Sequence, residues 1–355
     1  MRESVGNFMA AARTFWLCAS ACLCGLGAAA AQEPAPKFLA GNFVWENDSP
    51  YRGHDYDYTN GVLFSVTAAS APEFLQKLAK NPFFNHTPAY VLVDYSLSQQ
   101  MFTPRDLAAT TPDPLDRPYA GLALASASLI APDDPAPNRR RGDRFDQFTA
   151  QIGVVGPDAG GKGTQTWFHD RIGGIEPGGW DYQIPNRLVG GISYERTQRL
   201  WLNAGESPQS WDLLYHWGGS LGSVKTQANL GATFRIGYNR PLDIGVPRLS
   251  ASLPGSGYFE RPGGADWGLY GFVSAEATYV AYDATLDERA AISGAGVQKY
   301  NAVGDLQVGV VGYVRRLRIG LTGVFATKQF QGQRDNDGYG ALSVSWAFER
   351  DGERR

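Results

Sequence analysis

His169 and Gln165 lie four residues apart in the segment GTQTWFHDRI (163–172), so a helix there puts both side chains on one face. A histidine titrates near neutral pH and can take a proton from water. Far upstream, Glu46-Asn47-Asp48 and then Thr59-Asn60-Gly61 place acids, amides and a hydroxyl close together. Asp48, helped by Glu46, offers hard oxygens of the kind calcium takes. A cation beside an ester carbonyl stabilises the oxyanion that develops on it. Asn47 can donate a hydrogen bond to the same oxygen. Activated water, an acid-bound cation and amide donors together describe ester hydrolysis. Each residue alone has a plainer reading: Glu46-Asn47-Asp48 can be a turn capped by its own side chains, and a lone loop histidine is usually not catalytic.

A rival nucleophile sits in Gly218-Gly219-Ser220-Leu221-Gly222, which fits G-x-S-x-G. That pattern works at a sharp strand-to-helix turn. Here a second glycine-rich strand follows, and His216 would stand about 13 Å from Ser220 along an extended strand rising ~3.3 Å per residue. A serine–histidine pair is out of reach at that distance.

Residues 47, 48, 59, 165 and 169 come together only if the chain positions them, and the pattern that can do so is period-two alternation. Val91, Val93, Tyr95 and Leu97 alternate with Asp94, Ser96 and Ser98; Phe148, Ala150, Ile152 and Val154 alternate with Gln147, Thr149 and Gln151. The polar partners are small and uncharged, which suits the lumen of a barrel better than the wet face of a soluble sandwich. Twelve such segments are predicted, near 40–48, 58–68, 88–100, 119–131, 144–156, 187–201, 209–222, 224–238, 267–281, 302–315, 317–329 and 338–348. The expected fold is therefore all-β, a closed transmembrane antiparallel barrel, with short helices over 72–80 and 163–172, the latter in an extracellular loop. Aromatics at strand ends (Trp45, Tyr58, Trp201, Trp211, Trp267, Trp346) fit interfacial girdles. On this strand map Glu46-Asn47-Asp48, Thr59, Gln99-Gln100, Thr103, Asp116-Arg117-Pro118-Tyr119, Gln165 and His169 all fall on one rim. It is the extracellular rim if the N-terminus starts in the periplasm, and His169 can then face Asn47, Asp48 and Thr59 across the barrel mouth. Arg117 and Tyr119 are the candidates to meet substrate. A non-enzymatic porin or a soluble β-rich periplasmic protein would share the strands but has no use for the rim cluster.

Composition agrees. Of 355 residues 43 are glycine, 12% are aromatic and only 19% are charged, with net charge −3. An aromatic-rich, nearly neutral chain excludes intrinsic disorder and gives no support for nucleic-acid binding. The three cysteines, Cys18, Cys22 and Cys24, lie in an apolar run, Thr14 to Ala31, that follows Arg2 and Arg13 and ends in an Ala29-x-Ala31 cleavage pattern before Gln32. This reads as a signal peptide over 1–31, preceding a single barrel domain over 32–355. The mature chain then has no cysteine, so any metal it binds must be met by oxygen. The final strand ends on Phe348, resembling the signal that outer-membrane barrels present to their assembly machinery.

FVWENDSPYRGHDYDYTNGVLFS, SQQMFTP, DRPYAG, QTWFH and GGWDYQIPN, in that order from about residue 40, resemble the outer-membrane lipid A 3'-O-deacylase family. The resemblance implies a twelve-stranded barrel with its active site between the wall and a loop helix. It implies a calcium-dependent hydrolase acting on the 3'-linked acyl or acyloxyacyl chain of lipid A in the outer leaflet. By the same resemblance His169 matches the base and Asp48 the calcium-binding acid, while Asn47, Thr59 and Gln165 match supporting polar positions. The expected partners are lipopolysaccharide, the Gram-negative outer membrane and the barrel assembly machinery.

Overall fold

The computed structural model describes residues 38–48, 56–69, 71–79, 88, 90–133, 143–203, 208–245, 248–249, 257–262, 265–290, 294 and 296–348. Twelve strands run β1 Phe38–Asn47, β2 Asp57–Ala68, β3 Leu92–Thr103, β4 Ala120–Pro132, β5 Arg144–Val155, β6 Arg187–Asn203, β7 Gln209–Gly222, β8 Lys225–Tyr238, β9 Trp267–Asp283, β10 Ala302–Val314, β11 Leu317–Ala326 and β12 Asp337–Ala347. Every neighbouring pair is antiparallel, and β1 pairs with β12 from Ala40↔Ala347 to Asn47↔Gly340, so the sheet closes. Closure removes the two edges an open sheet would leave, which is what lets strands cross a bilayer without orphaned backbone groups. Helix α1 (Glu73–Ala79) lies between β2 and β3, and α2 (Gly161–Ile172) between β5 and β6. No helix among the described residues is long and apolar enough to cross a membrane. The expected signal peptide and the residues after Phe348 lie outside the described residues.

Strand period sorts the side chains. On β3 the even residues Ser96, Ser98, Gln100 and Phe102 line the lumen, so Tyr95, Leu97, Gln99, Met101 and Thr103 face outward. Phe64, Ile152, Leu188, Ile192, Leu230 and Leu321 are exposed on the outer wall, as a lipid-facing surface requires. Trp211, Trp267 and Trp346 are exposed at strand ends as expected for a girdle. Tyr58 is not part of it: it is buried, pointing into the lumen, where its hydroxyl donates to Glu46 Oε2 at 2.7 Å. β3 starts later and runs further than the alternation predicts, ending at Thr103 because Pro104 has no N–H to continue the ladder. Pro88 instead makes an isolated bridge to Asp133.

The lumen is filled in part by the β8–β9 connection, which alternation alone does not reveal. Leu249 donates its N–H to Glu46 Oε1 at 3.0 Å, and Asp243 accepts from Arg235 and Arg318, each at 2.7 Å. Arg235 also clamps Asp212 through both ends, at 2.6 and 2.9 Å, and Arg240 and Arg199 approach Asp212 at 2.9 and 3.2 Å. All six side chains are almost completely buried. This places protein where a porin keeps its water column. Above it remains a polar chamber of about 380 Å³. Removing one partner of a buried ion pair leaves an uncompensated charge, which costs about 3–5 kcal/mol. Asp243→Ala should therefore lower the urea midpoint of the folded barrel, followed by tryptophan fluorescence in detergent. An unchanged midpoint would show that the network contributes nothing.

Candidate active site

The cluster is assembled on the outer face of β3. At the top, Thr59 is the extra residue of a β-bulge: the β2–β3 register shifts between Tyr58 and Asn60. A bulge re-aims a side chain, and here it turns the Thr59 hydroxyl onto Thr103 Oγ1 at 2.7 Å. The Thr59 carbonyl accepts from Asn47 Nδ2 at 3.0 Å and from the Asp48 N–H at 3.4 Å. Asp48 Oδ2 in turn accepts from the Tyr56 N–H at 2.7 Å. Asn47, Asp48 and Thr59 are all buried. Four residues down β3 on the same face, Gln99 holds the start of α2: its Nε2 donates to Ala159 O at 2.6 Å, and its Oε1 accepts from Thr164 Oγ1 at 3.0 Å. Met101, between Gln99 and Thr103, packs with Leu107, Tyr119 and Trp180.

Helix α2 is short and framed by glycines. Gly160 and Gly173 cap it in the left-handed conformation, at φ 75° and 70°, which glycine adopts without a Cβ penalty. Gly121 on β4 lets the helix start reach the wall; a Cβ there would stand 3.2 Å from both Ala159 Cβ and Gly156 O. The residues the helix buries are Gly161, Gln165 and His169, a single stripe at spacing four.

His169 is oriented by the turn that follows. Its Nδ1 lies 2.5 Å from the Ile175 carbonyl, and the Gly174 N–H donates to the His169 carbonyl at 3.0 Å. A carbonyl only accepts, so Nδ1 is the donor in this bond. A histidine whose Nδ1–H is held on a carbonyl is oriented to act as a base through Nε2. Gly174 fits directly against the ring, a Cβ there falling 3.0 Å from Cγ. Gln165 accepts from the Trp180 indole N–H at 2.7 Å.

The predicted residues therefore divide. Asn47, Asp48 and Thr59 at one end and Gln165 and His169 at the other are joined along the outside of the wall, not across the open mouth. The pleat explains the difference: odd residues of β3 face outward, and α2 packs against β3 and β4 from that side. Glu46 points the other way, into the lumen, where its oxygens accept from Tyr58 and Leu249. Arg117 and Tyr119 separate as well. Tyr119 stacks on Trp180 at 4.8 Å on the outer side, whereas Arg117 is buried over the lumen-facing Phe102 ring at 4.7 Å and donates to Thr285 Oγ1 at 3.3 Å. The sequence places Gln99 and Thr103 on the rim without a role, and it does not single out Met101 and Trp180. The alternation of SQQMFTP carried that signal for the first three.

The rival serine is a ladder residue. Ser220 donates to Lys225 O at 2.9 Å beside the short β7–β8 turn, and His216 Nε2 lies 2.9 Å from Glu276 Oε2.

A closed twelve-stranded antiparallel barrel with an apolar outer band is an outer-membrane barrel, and this one carries a polar cluster between its wall and a loop helix. The sequence model of the family "Outer membrane protein LpxR" matches residues 15–348, and the chain belongs to that family. Membership makes it an outer-membrane protein of a family that modifies lipid A. Among solved structures it is similar to LpxR from Salmonella typhimurium, with TM-score 0.69 and 17% identity, covering 87% of this chain and 100% of that one. The translocator domain of the autotransporter NalP from Neisseria meningitidis gives TM-score 0.39 and 8% identity over 96% of this chain and 98% of that one. The NanC porin gives 0.35 and 5% over 88% and 100%. Curated proteins gave no match.

Proposed function

We propose that this protein is a hydrolase that removes the 3'-linked acyl or acyloxyacyl chain of lipid A in the outer leaflet, with water as nucleophile. The observation that carries the reading is His169 held through Nδ1 on the Ile175 carbonyl, on the same buried stripe as Gln165 and on the same outer wall as Asn47, Asp48 and Thr59. In this reading the acyl chains lie against the apolar outer wall while the ester reaches the rim, which faces the cell exterior. His169 Nε2 takes a proton from water as the water oxygen attacks the ester carbonyl. The carbon–oxygen bond to the sugar then breaks, and His169 returns the proton to the leaving hydroxyl. Gln165 and Asn47 donate to the oxygen that becomes negative. Thr59 acts through the backbone carbonyl that holds Asn47. In this reading Tyr119 supports Trp180, and Arg117, buried against Phe102 and Thr285, supplies the positive charge for an anionic head group.

The donor set fits calcium by its chemistry. Around Asp48 the groups are a carboxylate, an amide oxygen, hydroxyls and carbonyls, all hard oxygens. Asp48 would be an acidic ligand, while the Glu46 carboxylate is held in the lumen by Tyr58 and Leu249. A calcium ion held there supplies positive charge to the developing oxyanion. We also propose that residues 1–31 are a signal peptide, that 32–355 form one barrel, and that Phe348 serves assembly.

Mass spectrometry of lipid A from cells expressing the protein tests the reading directly. The expected result is loss of one 3'-linked chain, in the presence of calcium and not after chelation. Unchanged lipid A in cells carrying a correctly inserted barrel would overturn it.

A further inference from the structure

Gln99, on the outward face of β3, meets α2 with both ends of its carboxamide. Its Nε2 donates to Ala159 O at 2.6 Å, just ahead of the helix, and its Oε1 accepts from Thr164 Oγ1 at 3.0 Å, in the first turn. The helix ladder starts one residue after Ala159, where the Thr164 N–H donates to Gly160 O at 3.1 Å. A carbonyl only accepts, so the partner at Ala159 fixes which end of the amide faces it. The fit is close: a Cβ on Gly160 would stand 3.2 Å from Gln99 Nε2. Glycine frames α2 at both ends, and β5 and β6 pair without it, so the chain connections alone leave its seat on the wall open.

We infer that Gln99 is a positioning residue for the reaction: it pins α2 to β3 so that His169 stays aligned with Asn47, Asp48 and Thr59. This rests on the hydrolase reading of the same site. The strand face that carries Gln99 carries Thr103 four residues on, about 13 Å away at 3.3 Å per residue, and Thr103 meets Thr59. His169 follows Thr164 by five residues, about 7.5 Å along a helix rising 1.5 Å per residue. One strand therefore gives both halves of the site a common frame, with Thr103 holding the Thr59 half and Gln99 the helix half. Two bonds are needed for that. Sliding α2 along the wall, or turning it about its axis, stretches at least one of them. Misplacing a catalytic group by about 1 Å can cost roughly 10²-fold in rate.

Steady-state hydrolysis of detergent-dispersed lipid A and limited trypsin digestion, both on purified barrels that keep heat-modifiable gel mobility, test this together. Gln99→Met keeps the length of the side chain and loses both bonds. It should lower kcat by roughly 10–10²-fold with KM within about twofold. Trypsin should also cut α2 faster at the exposed Lys162 and Arg171, by roughly five- to thirtyfold, the factor that losing two hydrogen bonds gives in a local opening equilibrium. Thr164→Val loses one bond and should fall between. Thr164→Ser keeps the hydroxyl and should match the wild type in both readouts. Wild-type kcat in Gln99→Met overturns the inference, and so does a loss in Thr164→Ser as large as that in Thr164→Val. A wild-type protein that leaves lipid A intact overturns the hydrolase reading instead. The trypsin rates then decide the pin by themselves, and equal cutting of wild type and Gln99→Met overturns it as well.

Discussion

Replacing His169 with alanine should lower lipid A deacylation by roughly 10²–10⁴-fold, the usual contribution of a positioned general base. The loss should appear in kcat with KM nearly unchanged, because proton transfer to Nε2 is made in the transition state and not on binding. The barrel should survive. The His169 ring bonds to the carbonyl of Ile175 in a surface loop, and losing such a bond costs about 1 kcal/mol. Closure of the sheet does not pass through α2, since β5 and β6 pair directly from Arg144↔Gln198 to Val155↔Arg187. Semi-native gels would confirm folding, and lipid A mass spectra would report activity in the same cells. Full activity in a folded His169→Ala barrel would remove the base from the mechanism and with it the role of the turn that orients the ring.

The barrel was legible because alternation is a local signal. Each strand needs only its own side chains to declare which face meets lipid, so strands such as β5 and β7 lie at their predicted limits. Tyr58 shows where that signal fails. An aromatic at a strand end reads as girdle, and only the partner across the lumen, Glu46, tells that it faces inward. The lumen filling was hidden for the same reason: Asp243 and Leu249 lie in a connection without period, and their partners Arg235, Arg318 and Glu46 come from other strands. In the site, spacing four placed Gln165 and His169 on one stripe correctly. The floor that joins them to Thr59 was less visible, because it depends on a bulge. One extra residue in β2 turns Thr59 toward Thr103, and no residue type marks a bulge in advance. Trp180 was quoted within a motif, yet the residue its indole N–H meets, Gln165, lies fifteen residues earlier on another element.

Calcium dependence should separate Asp48 from Glu46, which the sequence pairs and the fold parts. A site with one carboxylate and otherwise neutral oxygens binds calcium weakly, since affinity follows the ligand charge count; extracellular sites of this kind hold the ion at roughly 10⁻⁴–10⁻³ M. Chelation should therefore abolish activity readily, and calcium in the millimolar range should restore it. Magnesium should not, because it demands a rigid octahedron and gives up water reluctantly. Asp48→Asn removes the charge while keeping a similar shape and an acceptor for the Tyr56 N–H. It should lower activity by about 10²–10³-fold at fixed calcium, the cost of losing stabilisation of an oxyanion. Excess calcium should recover part of that loss. Glu46→Gln should behave differently. Its carboxylate accepts from Tyr58 and Leu249 inside the lumen, so the change should loosen the barrel interior while leaving the calcium midpoint in place. Calcium binding by isothermal titration, measured alongside activity, reads the ion directly. If Glu46→Gln shifted the midpoint as strongly as Asp48→Asn, both acids would have to face the same ion, and the outer-wall placement of the metal would be wrong. If neither did, the oxyanion would rest on Gln165 and Asn47 alone.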